Sequence, residues 1–212
     1  MNPEFSPTAI RTQRQLIVFV LDKSPSMSEE TLGGVSKIQA LANVMKDLLI
    51  TRLKRSRIVQ NFDIAVVNFA DTASVELQTT PLVNLPENFS IQSSTYGSGT
   101  NMTQALEEVQ KLWTQYNSIQ SELKTSAVAL LVTDGEPNIR QDELTDIASN
   151  LKSQGVTIAC CLLPSLDSRQ DQARDLMKNI VTDASYFTEA RDAETLRNFF
   201  LRSISSATGT RV

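Results

Sequence analysis

Histidine is absent from all 212 residues. That absence excludes Ser-His-Asp and Cys-His nucleophilic catalysis, His-ligated zinc or haem, and histidine acid–base chemistry. Cysteine is scarce: Cys160 and Cys161 are the only two, and they are adjacent. Neighbours in a strand point to opposite faces, so no disulfide is expected between them. Two reduced core thiols and a cytoplasmic setting are the expectation. No run approaches the roughly 20 apolar residues of a membrane span. Residues 1 to 14 are polar, without the pattern of a secretory signal. An excess of positive charge is missing too. The formal net charge is −4, which argues against nucleic acid as the main partner. The basic run Arg52, Lys54, Arg55 and Arg57 reads as a solvated helix end.

What is present begins with LIVFVLDKSPSMS, residues 16–28. Six apolar residues, Leu16 to Leu21, run into Asp22, the pattern of a strand buried on both faces. Two further apolar runs follow, Phe62 to Phe69 and Ser126 to Thr133, the second ending in Asp134-Gly135. Val156 to Leu163 makes a fourth, and a short strand is expected near Tyr186-Phe187. Ser74 to Gln78 alternates as an edge strand in a hairpin with the Phe62 run. Between them lie segments with helical spacing. Ile38, Leu41, Met45, Leu48 and Leu49 mark the first, with Ser36 and Gln39 as a capping box. Met102 to Tyr116, Leu144 to Leu151 and Ala173 to Ile180 mark the next three. Leu196 to Ser203 closes the series, capped by Asp192. Strands alternating with helices imply a mostly parallel α/β sheet with helices on both faces. One domain is expected over residues 15–206, between tails at 1–14 and 207–212.

Two strands end in acids. If they are neighbours, Asp22 and Asp134 meet at the crevice where strand order reverses, the place where open α/β sheets put their sites. Ser24 and Ser26 follow Asp22 on the same loop, and the long segment 79–99 delivers Thr100 to the next helix. Asp22, Ser24, Ser26, Thr100 and Asp134 together offer oxygen and no nitrogen or sulfur. That donor set suits Mg²⁺, Mn²⁺ or Ca²⁺. Hydroxyls neutralise less charge than carboxylates, so such an ion would still attract an anionic oxygen from a partner. The bland alternative is that Asp, Ser and Thr here only form turns and helix caps. Asn101 reads as a cap, Asp71 as a hairpin-tip turn residue, Glu136 as solvated, and Trp113 and Tyr116 as core.

DKSPS at 22–26, Thr100 in GSGTN and Asp134 in LVTDGEPN resemble the metal-ion-dependent adhesion site of von Willebrand factor type A (VWA) domains. The resemblance covers roughly residues 15 to 206. It implies a doubly wound, Rossmann-like α/β fold with six strands in the order 3-2-1-4-5-6 and an antiparallel edge strand. It also implies Mg²⁺ on Ser24, Ser26 and Thr100, with Asp22 and Asp134 ligating directly or through water. Compact intracellular bacterial members of the tellurite-resistance type look most similar. They imply a stress-response role and a protein kinase or phosphatase partner. Pro25 departs from the family, which usually has Gly there; proline fixes φ near −65° and removes an N–H.

The resulting expectation is a protein-interaction module in which a divalent cation bridges to a carboxylate or phosphate of a partner. No catalytic residue is assigned, and no membrane span or nucleic-acid partner is expected. Two other functions compete. A metal-dependent phosphohydrolase or phosphotransferase would use Asp22 as nucleophile, but a haloacid-dehalogenase-like site needs a second acid where Ser24 stands, and no lysine partner is evident in the sequence. A metal-independent scaffold would leave the site unused.

Overall fold

Leu16 to Leu21 carry no polar side chain, and in the computed structural model all six are fully buried in the middle of a parallel sheet. The structure describes residues 13–30, 34–120, 124–135, 141–164 and 171–209. β1 (Gln13–Asp22) pairs in parallel with β2 (Phe62–Phe69) on one side and β4 (Lys124–Thr133) on the other. β3 (Ala73–Pro81) runs antiparallel to β2 at one edge. β5 (Val156–Leu162) and β6 (Phe187–Glu189) continue beyond β4 in parallel. The order is β3-β2-β1-β4-β5-β6, the doubly wound arrangement expected.

Alternate residues of β1 feed two cores. Ile17, Phe19 and Leu21 face α1 (Lys37–Lys46) and α5 (Ala193–Thr208). Phe19 meets Phe200 of α5 edge-on, ring centroids 5.5 Å apart. Leu16, Val18 and Val20 face α2 (Met102–Ile119), α3 (Gln141–Ser153) and α4 (Asp171–Ile180). Cys160 and Cys161 divide in the same way, one into each core and neither in a disulfide. Trp113 and Tyr116 are buried as expected. Tyr116 also donates to Asp63 Oδ2 at 2.7 Å, and Arg14 Nε donates to the same oxygen at 2.9 Å. This trio, with Asp63 and Tyr116 buried and Arg14 half-buried, fastens the end of the sheet opposite Asp22.

Three local details differ from the sequence reading. The first helix leaves the α geometry at Lys46 and continues as a π-helix over Asp47–Leu53. The wider turn lets Leu48, Leu49, Ile50 and Leu53 all bury, which a strict 3.6 period does not. Ser36 caps this helix by accepting from Gln39 N at 3.3 Å. The Gln39 side chain reaches forward to Asn43 instead of back, so the box is half made. Lastly, β3 is longer than Ser74–Gln78: it runs to Pro81, opposite Asp63, at an edge where a missing N–H costs no ladder bond.

At the domain ends, β1 already includes Gln13 and Arg14, and α5 reaches Thr208, whose carbonyl accepts from Gln15 Nε2 at 2.9 Å. Among the described residues, no helix is long and apolar enough to cross a membrane.

Candidate metal centre

β1 sits between β2 and β4, so its carboxyl end is the point where the chain's winding reverses. Asp22 is the last residue of β1, and Asp134 directly follows β4. Both acids are buried, Asp22 at 0% and Asp134 at 2% exposure. The register ends at Leu21–Val132, and one step further Thr133 Oγ1 donates to Asp22 Oδ2 at 2.6 Å. Asp22 Oδ1 accepts from Ser24 N at 2.7 Å. One oxygen of Asp22 therefore holds the loop and the other ties the end of β1 to β4. Burial pushes its carboxyl up to about 6, against the Ser24 and Thr133 hydrogen bonds that favour the anion; nearby Asp134 adds to the rise. A cation beside it would reverse that penalty.

The serines complete a chain of oxygens. Ser24 Oγ lies 3.1 Å from Ser26 Oγ, and Ser26 Oγ donates to Asp134 Oδ1 at 2.7 Å. Adjacent oxygens in an octahedral Mg²⁺ shell lie about 3 Å apart, given bonds of about 2.1 Å. The spacing of Ser24, Ser26 and Asp134 fits such an edge. Thr100 is 8% exposed, and its Oγ1 lies 3.9 Å from where a Cβ on Gly135 would stand. All five sequence-predicted residues thus come to one end of the sheet, and the donor set is oxygen alone. Among the described residues no three acidic, cysteine or histidine side chains cluster, so the centre is hydroxyl-rich with two carboxylates.

Pro25 fits this loop without strain. Ser24 has φ −59° and ψ 156°, the extended conformation favoured before proline. Pro25 opens a 3-10 turn over Pro25–Ser28, where its missing N–H has no partner to lose. Ser28 Oγ closes the turn onto Pro25 O at 2.6 Å. Among the described residues, only glycines have positive φ. Pro25→Gly is therefore expected to lower stability by about 0.5–1 kcal/mol through the freer unfolded chain. A urea denaturation series would show this as a lower midpoint with unchanged slope.

Four residues of the site escaped the sequence reading. Thr133 anchors Asp22 and is visible only once the β1–β4 register is known. Asp71 is more than a turn residue. It accepts from Ser98 N at 2.8 Å and Ser98 Oγ at 3.1 Å, and its carbonyl accepts from Asn101 Nδ2 at 3.3 Å. With Asn101 N donating to Ala70 O at 2.6 Å, it clamps the loop that presents Thr100. Asn101 is the cap of α2, accepting from Gln104 N at 3.0 Å.

The other two are Lys37 and Glu29. Lys37 Nζ donates to Asp134 Oδ2 at 2.7 Å and to Glu29 Oε2 at 2.8 Å, and Lys37 is only 2% exposed. This corrects the expectation that no lysine attends the site. The available signal was Lys37 at the first position of α1, the helix end where the macrodipole disfavours a cation. Glu136, read as solvated from the sequence, lies outside the described residues, as do residues 137–140.

The sequence profile of the von Willebrand factor type A domain matches residues 17–202. The chain belongs to the von Willebrand factor type A domain family. Several solved structures share its fold. One is proximal thread matrix protein 1 from the mussel byssus, 20% identical over 92% of this chain and 46% of that one, with a TM-score of 0.62. A second structure of that protein, TM-score 0.61, is described with a zinc-occupied MIDAS motif. The pilus adhesin SpaC from Lactobacillus rhamnosus GG is 13% identical over 93% of this chain and 30% of its own, with a TM-score of 0.71. The vWF domain of the type V pili tip protein Mfa5 from Porphyromonas gingivalis is 11% identical over 94% of this chain and 97% of that chain, with a TM-score of 0.68. This VWA domain spans about half the length of the matrix protein it matches. Comparison with curated protein sequences returns no match.

Proposed function

We propose that this VWA domain is a metal-dependent protein-interaction module. Ser24, Ser26 and Thr100 hold Mg²⁺, with Mn²⁺ or Ca²⁺ as substitutes, Asp134 completes the protein's share, and Asp22 orients the loop from behind. The observation that carries this reading is the continuous chain of oxygens from Ser24 through Ser26 to Asp134, at octahedral edge lengths, on segments 108 residues apart. The bound ion supplies a Lewis-acidic position that accepts an anionic oxygen from outside. Three of the protein's donors are neutral hydroxyls, so the ion's charge is only partly met by its own ligands, which favours a carboxylate or phosphate on the partner.

The enzyme reading fits less well. Asp22 is fully buried with both oxygens engaged by Ser24 and Thr133, a poor posture for a nucleophile. Ser24 stands where the second acid would be needed. The named neighbours are matrix, pilus and adhesin proteins, in keeping with a binding role. Narrower still, the likeness of the loops to tellurite-resistance-type members supports a protein kinase or phosphatase of a stress response as the partner. Two unpaired, buried cysteines support a cytoplasmic setting.

Calorimetric titration of chelator-stripped protein with Mn²⁺ and Mg²⁺ tests the reading. One saturable site is expected, weakened at least ~10-fold by Ser26→Ala or Thr100→Ala. Adding glutarate to the Mn²⁺-loaded protein should then lower water-proton relaxation as a carboxylate displaces bound water. Metal binding indifferent to both substitutions would sink the assignment.

A further inference from the structure

Lys37 is unusual on three physical counts. It is a cation at the amino end of a helix, it is 2% exposed, and it donates to a carboxylate that also belongs to the candidate metal shell. A buried ammonium costs free energy unless it is paired. Here the pairing is built with care. Glu29 holds Lys37 at both ends, its carbonyl accepting from Lys37 N at 3.0 Å and its carboxylate from Lys37 Nζ at 2.8 Å. Glu30 and Ser36, the neighbours of Glu29 and Lys37, pair in an isolated antiparallel bridge. The ammonium is thereby held against Asp134 Oδ2, and Ser26 Oγ donates to Asp134 Oδ1. One oxygen of Asp134 thus meets the ammonium and the other meets Ser26.

We propose that Lys37 is a tethered counter-cation of the metal centre. With no ion bound, it compensates the buried Asp134 and keeps the carboxylate aimed with one oxygen toward Ser26. With an ion bound, its charge opposes the ion across Asp134, so metal affinity is set low. The loaded ion, met mainly by neutral hydroxyls, then gains from an acidic group that a partner brings. Metal and partner are therefore held more tightly together than either is alone. Lys37 is a positioning residue: it acts on the ion through Asp134.

This rests on the metal reading above, and the test separates the two. Mn²⁺ affinity is measured on chelator-stripped protein by counting free Mn²⁺ by electron paramagnetic resonance, alongside thermal melts with and without Mn²⁺. Lys37→Met keeps an unbranched side chain, one atom shorter, and removes the charge. Lys37→Gln also removes the charge but keeps a donor for Asp134, so it guards against simple misfolding. Lys37→Arg restores the charge. Both neutral variants should bind Mn²⁺ at least ~10-fold tighter than the parent, since two like charges a few ångströms apart are separated only by partly screened protein. Lys37→Arg should return affinity toward the parent value. Lys37→Met should melt below the parent without metal and gain more from saturating Mn²⁺. A residue that only braces the fold would weaken binding when replaced. Parent-like or weaker Mn²⁺ binding in Lys37→Gln, with the parent still binding through Ser26 and Thr100, overturns the counter-cation and leaves the metal reading standing. Absence of Mn²⁺ binding in the parent and both neutral variants overturns the metal reading and this inference with it.

Discussion

Asp134→Ala is expected to lower the stability of metal-free protein by about 3–5 kcal/mol, because it removes one half of a buried ion pair and leaves the other half in place. The Lys37 and Asp134 side chains are 3% and 0% exposed, so water does little to rescue the ammonium left behind. Glu29 remains as a partner, but its side chain is 54% exposed and screened by solvent. Ser26 Oγ loses its acceptor in the same step. Chemical denaturation should show the loss as a lower midpoint at unchanged slope. Asp134→Asn should cost markedly less. Its amide can turn its oxygen to Lys37 and its nitrogen to Ser26, keeping both contacts while losing the charge. Combining Asp134→Ala with Lys37→Met should recover part of the loss, since no unpaired ion is then buried. A cost below about 1 kcal/mol for Asp134→Ala would show that Lys37 relocates to solvent, and that the pair does not fix the site's geometry. Metal binding should fall below detection in Asp134→Ala in any case, which makes stability the informative readout.

The fold was legible because its signals are local and periodic. Leu16–Leu21 and Ser126–Thr133 are continuous apolar runs that end in acids, and strands buried on both faces have few other ways to look. The site was legible as far as its ligand-type residues. Asp22, Ser24 and Ser26 lie within five positions, and Thr100 and Asp134 stand at the ends of recognisable elements. What the sequence hid is the scaffolding around them. Asp71 and Ser98 are 27 residues apart, and nothing in either neighbourhood encodes their hydrogen bonds. Lys37 and Asp134 are 97 apart and meet only because α1 starts where β4 ends. Lys23 lies inside the DKSPS loop and reads as a spacer, yet it is 1% exposed and reaches Gln92 O across the long loop. Its backbone carbonyl holds Tyr96 N at 2.8 Å. Glu76 pins the same loop from β3 by accepting from Gln92 N at 3.1 Å. A 79–99 stretch without period therefore reads as loose in sequence and is held at several points in the structure. Long-range polar contacts fix it, and these leave no pattern in a single chain.

Gly97→Ala should show how far that held loop matters to the site. Gly97 has φ +70°, where an L side chain costs about 1–2 kcal/mol. The added Cβ would also lie 2.5 Å from Asp71 Oδ2 and 3.0 Å from Ala70 Cβ. The Asp71 carboxylate has little freedom to retreat, because it is bonded to Ser98 N and Ser98 Oγ. Moving it gives up those bonds, at a further cost of about 1 kcal/mol. A total loss of about 2–3 kcal/mol is expected. The displacement also bears on the site, since Thr100 lies three residues on and its loop is pinned by Asn101 N on Ala70 O. Mn²⁺ affinity should drop at least ~10-fold as Thr100 leaves its place near Gly135. Gly155→Ala is the matched control. Gly155 also has positive φ, +84°, but an added Cβ meets nothing within 4 Å, and the residue follows α3 away from the site. It should lose only the backbone cost of about 1–2 kcal/mol and keep its Mn²⁺ affinity. Equal losses of affinity in the two variants would mean that metal binding follows global stability. A loss confined to Gly97→Ala would assign the clamp formed by Asp71 and Ser98 a direct part in presenting Thr100.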